Sequence, residues 1–246
     1  MSIGLYASKI QSEILAERDT LAKAYRDYPD SNLYFCMVDL AQSSNYRITK
    51  GPERGYIRGE SFFTLIAAAT RPYTEIRVFK EIGDAVLMCC TEFRPLLEAG
   101  LLMTRAARQL AFVAGDETFP FALRLGIDFG VAKRLTRRHE DYLGECIDRL
   151  ARIMSVRSDR TNFVLSEKAF DPNRKILDEY AALCEASGPL QLQLSGGKQL
   201  YEQVIYREVL PKTEASSEFS DYFVQWRRAT TTSAGGSALK KHPPSD

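Results

Sequence analysis

Two aspartates are the residues in this sequence best placed to do chemistry. Asp39 closes the apolar run LYFCMVDL at residues 33–40, and Asp84 sits in the glycine-led turn Ile82-Gly83-Asp84. Brought together at neighbouring strand ends, two carboxylates repel and shift each other's pKa unless a divalent cation neutralises them. Oxygen-only coordination suits Mg²⁺ or Mn²⁺ bound to a polyphosphate. The competing assignment is that Asp39 caps the helix that follows and Asp84 serves its turn. Only two histidines are present: His242 lies in a tail of Ser, Pro and Lys, and His139 stands alone beside Arg137 and Arg138. Imidazole ligation is therefore not expected, and any metal must be held by carboxylates.

A second group lies downstream. Asp141, Asp148 and Arg152 are spaced by seven and four, so a continuous helix would carry all three on one face. Asp148 and Arg152 alone read equally as an exposed i,i+4 ion pair worth a few tenths of a kcal/mol.

The elements that must position these groups follow from the apolar pattern. Helical spacing predicts an N-terminal helix over residues 8–25, ended by Pro29-Asp30-Ser31. Residues 33–40 read as a buried central strand, and residues 59–70 as a helix that stops before Pro72. Residues 74–93 read as a hairpin, with Ile76 and Val78 alternating on one arm and Val86 and Met88 on the other. A long helix at 93–113, a strand pair from 121 onward, a helix at 144–156 and strands at 161–165 and 190–206 complete the pattern. The order strand, helix, strand, strand, helix, strand is the α+β, ferredoxin-like βαββαβ arrangement with added strands. The predicted division is an N-terminal helix at 1–30, one catalytic-size domain at 31–211, and a tail at 212–246 with one short helix over 219–229.

Composition bounds the rest. A chain of 246 residues with 45% hydrophobic content can bury a core. A net charge of +1, from 33 basic and 32 acidic side chains, gives no global pull toward nucleic acid or membrane. No apolar stretch approaches the ~20 residues that cross a bilayer, and no signal segment opens the chain, so a cytoplasmic protein without membrane insertion is expected. The five cysteines are an odd number without CxxC spacing and read as reduced core residues.

Four segments in order carry a family resemblance. They are VDL with its small polar residues, Lys-x-x-Gly-Asp at 80–84, LGIDFG at 125–130, and Asp-x-x-Gly-x-x-x-Asp-x-x-x-Arg at 141–152. Over about residues 33–207 their order and separation resemble the class III adenylate and guanylate cyclases. The resemblance implies a head-to-tail homodimer with two equivalent shared sites, closing a nucleoside triphosphate into a 3′,5′-cyclic nucleotide. It further implies that Asp39, Asp84 and the carbonyl of Leu40 hold two divalent metal ions (Mn²⁺ or Mg²⁺). Ser43 and Ser44 would lie in the phosphate loop 41–45, Lys80 and Asp141 would read the base, Asp148 would stand where an asparagine orients the ribose, and Arg152 would stabilise the α-phosphate. Asp128 stands where a histidine or serine is usual, and Lys198 lies nearest to the position of a late phosphate-binding lysine.

Lys80 with Asp141 is the family's adenine-reading pair. Asp148 departs from the pattern, and Tyr46 with Arg47 replaces smaller residues. Tyr46 would either narrow the base pocket against purines or pack its ring on the sheet, and Arg47 reads as solvated. A cyclase domain without receptor or sensor resembles the pyrimidine cyclases of the Pycsar bacterial antiphage systems, which implies UTP as substrate, cyclic UMP as second messenger and a separate cyclic-nucleotide-responsive effector protein. The alternatives are an adenylate cyclase and, in another class, an inactive cyclase fold serving as nucleotide sensor or dimerisation module. No GG[DE]EF turn occurs to suggest a dinucleotide cyclase.

Overall fold

The computed structural model describes residues 3–114, 118–135, 140–154, 161–196 and 200–211. In chain order the elements are α1 (Ile3–Asp27), β1 (Asp30–Leu40), α2 (Ser43–Lys50), α3 (Pro52–Thr70), β2 (Arg77–Ile82), β3 (Ala85–Cys90), α4 (Phe93–Ala114), β4 (Leu123–Leu135), β5 (Asp141–Leu143) and α5 (Glu145–Met154). After them come β6 (Asn162–Ser166), α6 (Glu167–Phe170), a 3₁₀ turn (Asp171–Asn173), α7 (Arg174–Glu179), β7 (Cys184–Ala186), β8 (Leu190–Gly196) and β9 (Leu200–Pro211).

The strands join in the order β2-β3-β1-β4-β6-β9-β7, with β5 added on β4 and β8 on β9. Neighbours run antiparallel except β4 and β6, which are parallel. Strands β1, β2, β3 and β4 with the intervening helices are the βαββαβ unit, so the expected α+β ferredoxin-like sheet with added strands is the observed one.

Alternation along β1 divides the core. Cys36, Val38 and Leu40 face α3 and α4, where Phe62, Ile66, Leu96 and Leu97 close the larger apolar cluster. Phe35 faces the other side, with Cys89, Tyr142 and the α5 residues Cys146, Leu150 and Met154. Helix α5 can approach β4 because two glycines lie under it: a Cβ on Gly126 would stand 2.8 Å from Leu150 Cδ1, and one on Gly130 2.8 Å from Cys146 Cβ. Each fully buried Phe or Leu of these clusters stabilises the fold by about 1.5–3 kcal/mol. All five cysteines are free and buried.

Several boundaries differ from the sequence reading. The segment after β1 is helical from Ser43, and a second helix starts at Pro52, where 59 was expected. Pro52 occupies the first turn, where its missing N–H costs nothing. Strand β3 is buried on both faces where half-burial was expected: Val86, Met88 and Cys90 join the cluster under α3 and α4, and Cys89 packs with Phe35 and Tyr142 on the other face. The tail beyond 211, with its expected helix, lies outside the described residues. Among the described residues no helix is long and apolar enough to cross a membrane.

Candidate active site

The carboxylate pair is set by strand pairing. Asp39 stands opposite Ala85 on β3 and Arg124 on β4. A two-residue turn, Gly83-Asp84, joins β2 to β3, and Gly83 takes φ 63°, a left-handed conformation that glycine adopts without strain. The Leu40 amide donates to the Asp84 carbonyl at 3.2 Å, which brings the turn against the end of β1. Ser43 donates its hydroxyl to Asp84 Oδ2, and Arg124 pairs with Asp39 Oδ2. Burial pushes the Asp39 carboxyl above its usual range; Arg124 pulls it down and the Asp84 charge pushes it up.

Ser43 and Asp84 border a cavity of about 310 Å³ lined also by Leu40, Ser44, Arg47 and Arg58 among others; Asp39 and Arg124 are not among its lining residues. Gln42, just before α2, has φ 57° and makes no side-chain cap. The first amide of the helix to bond back is that of Tyr46, to Gln42 O at 2.9 Å. The amides of Ser43, Ser44 and Asn45 therefore have no intrahelical acceptor, the arrangement that receives phosphate oxygens. Arg58 is 1% exposed and donates to the carbonyls of Ala41, Phe119 and Pro120 at 3.2, 3.1 and 2.9 Å. Its guanidinium lies 4.5 Å from the Tyr46 ring centroid. Tyr46 is buried beneath it, edge-on to Phe119 and not among the residues that line the cavity.

Two carboxylates and a hydroxyl of this kind fit a hard divalent cation. No group of three or more His, Cys, Asp or Glu side chains gathers among the described residues, so the remaining ligands would be main-chain, water or substrate oxygens, as Mg²⁺ commonly takes them.

The second cluster is on the α5 side of the sheet. Lys80 Nζ donates to Asp141 Oδ2 at 2.6 Å. A bulge at Phe79 makes this contact: Arg77 pairs with Cys89 and Lys80 with Leu87, so both cations face the same way although three residues apart. Beside them Glu140 accepts from Arg77 Nη1 at 2.6 Å and from the Tyr142 hydroxyl at 2.7 Å, with Arg134 Nε at 3.1 Å. Arg77 first, then Tyr142, holds the Glu140 carboxyl at about 2.

Asp141 belongs to β5, not to the helix, so the one-helix arrangement of Asp141, Asp148 and Arg152 is corrected. Gly144 lies between them, and α5 begins after it. Asp148 and Arg152 stay one turn apart, both exposed on α5. Lys198 lies outside the described residues. Arg124, Arg77 and Glu140 did not stand out in the sequence; an acidic doublet at 140–141 matched to the basic positions 77 and 80 is the signal that could have found two of them.

No family model matches the chain, and no curated protein does. Solved structures do. The guanylyl cyclase Cya2 superposes with a TM-score of 0.60 at 14% identity, over 74% of this chain and 93% of that one. The adenylyl cyclase CyaB from P. aeruginosa gives 0.59 at 13%, over 76% and 97%. The guanylyl cyclase domain of RhoGC from Blastocladiella emersonii gives 0.58 at 12%, over 76% and 99%. The fold is that of the class III cyclase catalytic domains. Within that cyclase fold, the carboxylate pair ends the central strand β1 and the turn beside it, while Lys80 lies on the edge strand β2.

Proposed function

We propose that this chain is a metal-dependent nucleotidyl cyclase, a phosphorus–oxygen lyase acting as a head-to-tail homodimer in the cytoplasm. The observation that carries the reading is the docking of the Asp84 turn on the end of β1, which sets the Asp84 charge beside Asp39 at the edge of a serine-lined cavity. In the reaction the ribose 3′-oxygen loses its proton and attacks the α-phosphorus. The bond from that phosphorus to the bridging oxygen breaks, and pyrophosphate leaves.

Asp39, Asp84 and the Leu40 carbonyl would hold divalent metal, Mn²⁺ or Mg²⁺, which when bound supplies acidification of the 3′-hydroxyl and charge neutralisation on the phosphates. The amides of Ser43 and Ser44 and the Ser44 hydroxyl bind phosphate oxygens. Arg152 of the other subunit stabilises charge at the α-phosphate, a contribution of about 3 kcal/mol by analogy with oxyanion donors. Asp148 accepts from the ribose hydroxyls. Lys80 donates to a base carbonyl or ring nitrogen, and Asp141 accepts from the adjacent N–H.

For the base we propose uracil, with cyclic UMP as a second messenger for a separate effector in bacterial antiphage defence. Its support is the resemblance drawn above and Asp148 in place of the ribose asparagine. Tyr46 supports it only indirectly, through Arg58 at the cavity wall. Cyclic AMP is the rival product, favoured by the Lys80–Asp141 pair. Incubating the purified chain with each of the four ribonucleoside triphosphates and Mn²⁺, with products identified by mass spectrometry, tests both levels. Cyclic UMP is expected; cyclic AMP formed fastest overturns the base assignment, and no cyclic product from any of the four overturns the enzyme.

A further inference from the structure

The LGIDFG segment contains a buried ion pair that the proposed reaction does not use. Gly126, Asp128 and Gly130 alternate along β4, so all three point to the face covered by α5. The two glycines let the helix down, and between them Asp128 is fully buried. Its Oδ2 accepts from Arg149 Nε at 2.8 Å and lies 2.7 Å from Nη2. Its Oδ1 accepts from the Phe129 amide at 2.8 Å and from the Ser166 hydroxyl. Donors from β4, β6 and α5 thus fill both oxygens.

Such a pair is not required for stability. Apolar side chains of similar volume often stabilise a buried site as well or better, because they carry no desolvation penalty. What a rigid guanidinium fork held at two nitrogens adds is direction. Arg149 adjoins Asp148 and precedes Arg152 by three residues, so whatever fixes the rotation of α5 fixes the aim of both.

We infer that Asp128 and Arg149 are positioning residues, whose buried pair sets the rotation of α5 on the sheet and so aims Asp148 at the ribose and Arg152 at the reacting phosphate. This rests on the role proposed above for Arg152. Displacements of about 1 Å in a charge-stabilising group commonly cost about 100-fold in turnover.

The test compares the double variant Asp128→Leu/Arg149→Met with Arg152→Ala in the full chain. The double variant is expected to keep its melting temperature, its Mn²⁺ affinity and its KM for nucleotide, while kcat falls by about 100-fold. Arg149→Lys, which keeps charge but not the fork, should fall between. A second variant covers the case in which the double one fails to fold. Asp128→Asn chains should recover activity when mixed with Asp84→Ala chains but not with Arg152→Ala chains, because the lesion belongs to the α5 half of the site. Wild-type kcat in a stable double variant, with Arg152→Ala dead, overturns the inference and leaves the cyclase reading standing. Failure of Asp128→Asn to be rescued by Asp84→Ala, when Arg152→Ala is rescued, overturns it as well. Wild-type turnover by Arg152→Ala removes the proposed mechanism and this inference with it.

Discussion

Lys80 Nζ stands 2.6 Å from Asp141 Oδ2, joining the outermost strand β2 to the short strand β5. Both side chains are partly exposed, at 42% and 34%, so the pair contributes only about 0–1 kcal/mol to folding. A donor fixed beside an acceptor is worth more as a reader. Uracil and adenine each present one acceptor and one N–H donor on a single edge.

Lys80→Ala and Asp141→Ala should therefore leave thermal stability nearly unchanged and lower kcat/KM by roughly ten- to a hundred-fold, the size of one or two lost hydrogen bonds to substrate. Melting curves and steady-state kinetics on the same samples check this. A large loss of stability with normal kinetics in the folded fraction would make the pair structural.

Asp39→Asn and Asp84→Asn should each reduce turnover by roughly a thousandfold or more, since each removes a charge from the proposed metal site. Their folds should survive, because Asn keeps the shape and Asp39 already carries a desolvation cost. Calorimetric titration with Mn²⁺ should show weakened binding in both. Unaltered Mn²⁺ binding together with wild-type turnover would rule out the carboxylate pair.

Mixing inactive Asp84→Ala with inactive Arg152→Ala should restore activity once subunits exchange, because one of the two sites in a mixed dimer is then complete. Demonstrated exchange without recovery would mean that each chain builds its own site.

Glu140 offers a pH signature. Its carboxyl is lowered from 4.5 to about 2 in the folded chain, so it favours folding above its unfolded pKa and loses that contribution as pH falls through about 4.5 toward 2. The group is partly solvated, which keeps the effect within about 1 kcal/mol. Glu140→Gln should melt slightly lower than wild type near neutrality, and the difference should vanish as pH falls toward about 2. A constant difference across that range would assign the effect to packing instead.

The strands were readable because long apolar runs such as LYFCMVDL admit few other environments, and Asp39 and Asp84 were legible because each ends such a run or its turn. Less was visible in residues 41–58, where Gly51 and Gly55, with Gly59 just after them, argue against helix one by one. The cavity shows why two of them fit: Gly55 and Gly59 line it, and a Cβ on Gly55 would meet Arg47 Cγ at 2.8 Å. Arg124 and Asp128 were opaque for a different reason. A charge inside an apolar strand looks like a solvent-facing position until its partner is known, and the partners Asp39 and Arg149 are far along the chain. Neither did the spacing from Lys80 reveal its face, since alternation assumes a register that the bulge at Phe79 breaks.

That bulge has an evolutionary consequence. Deleting Phe79 would restore simple alternation and keep both cations on one face, whereas straightening the strand at its present length would turn one of them to the opposite face of the sheet. In an interior strand such a length change would misplace neighbours on both sides. Among the described residues strand β2 has a neighbour on one side only, at the border of the sheet. Descendants of this chain could therefore gain or lose the bulge residue there and, on the role proposed for Lys80, shift its contact with the base while β1 and its turn stay untouched. Under that proposal, substrate choice would drift by insertion and deletion, and the chemistry would be inherited whole.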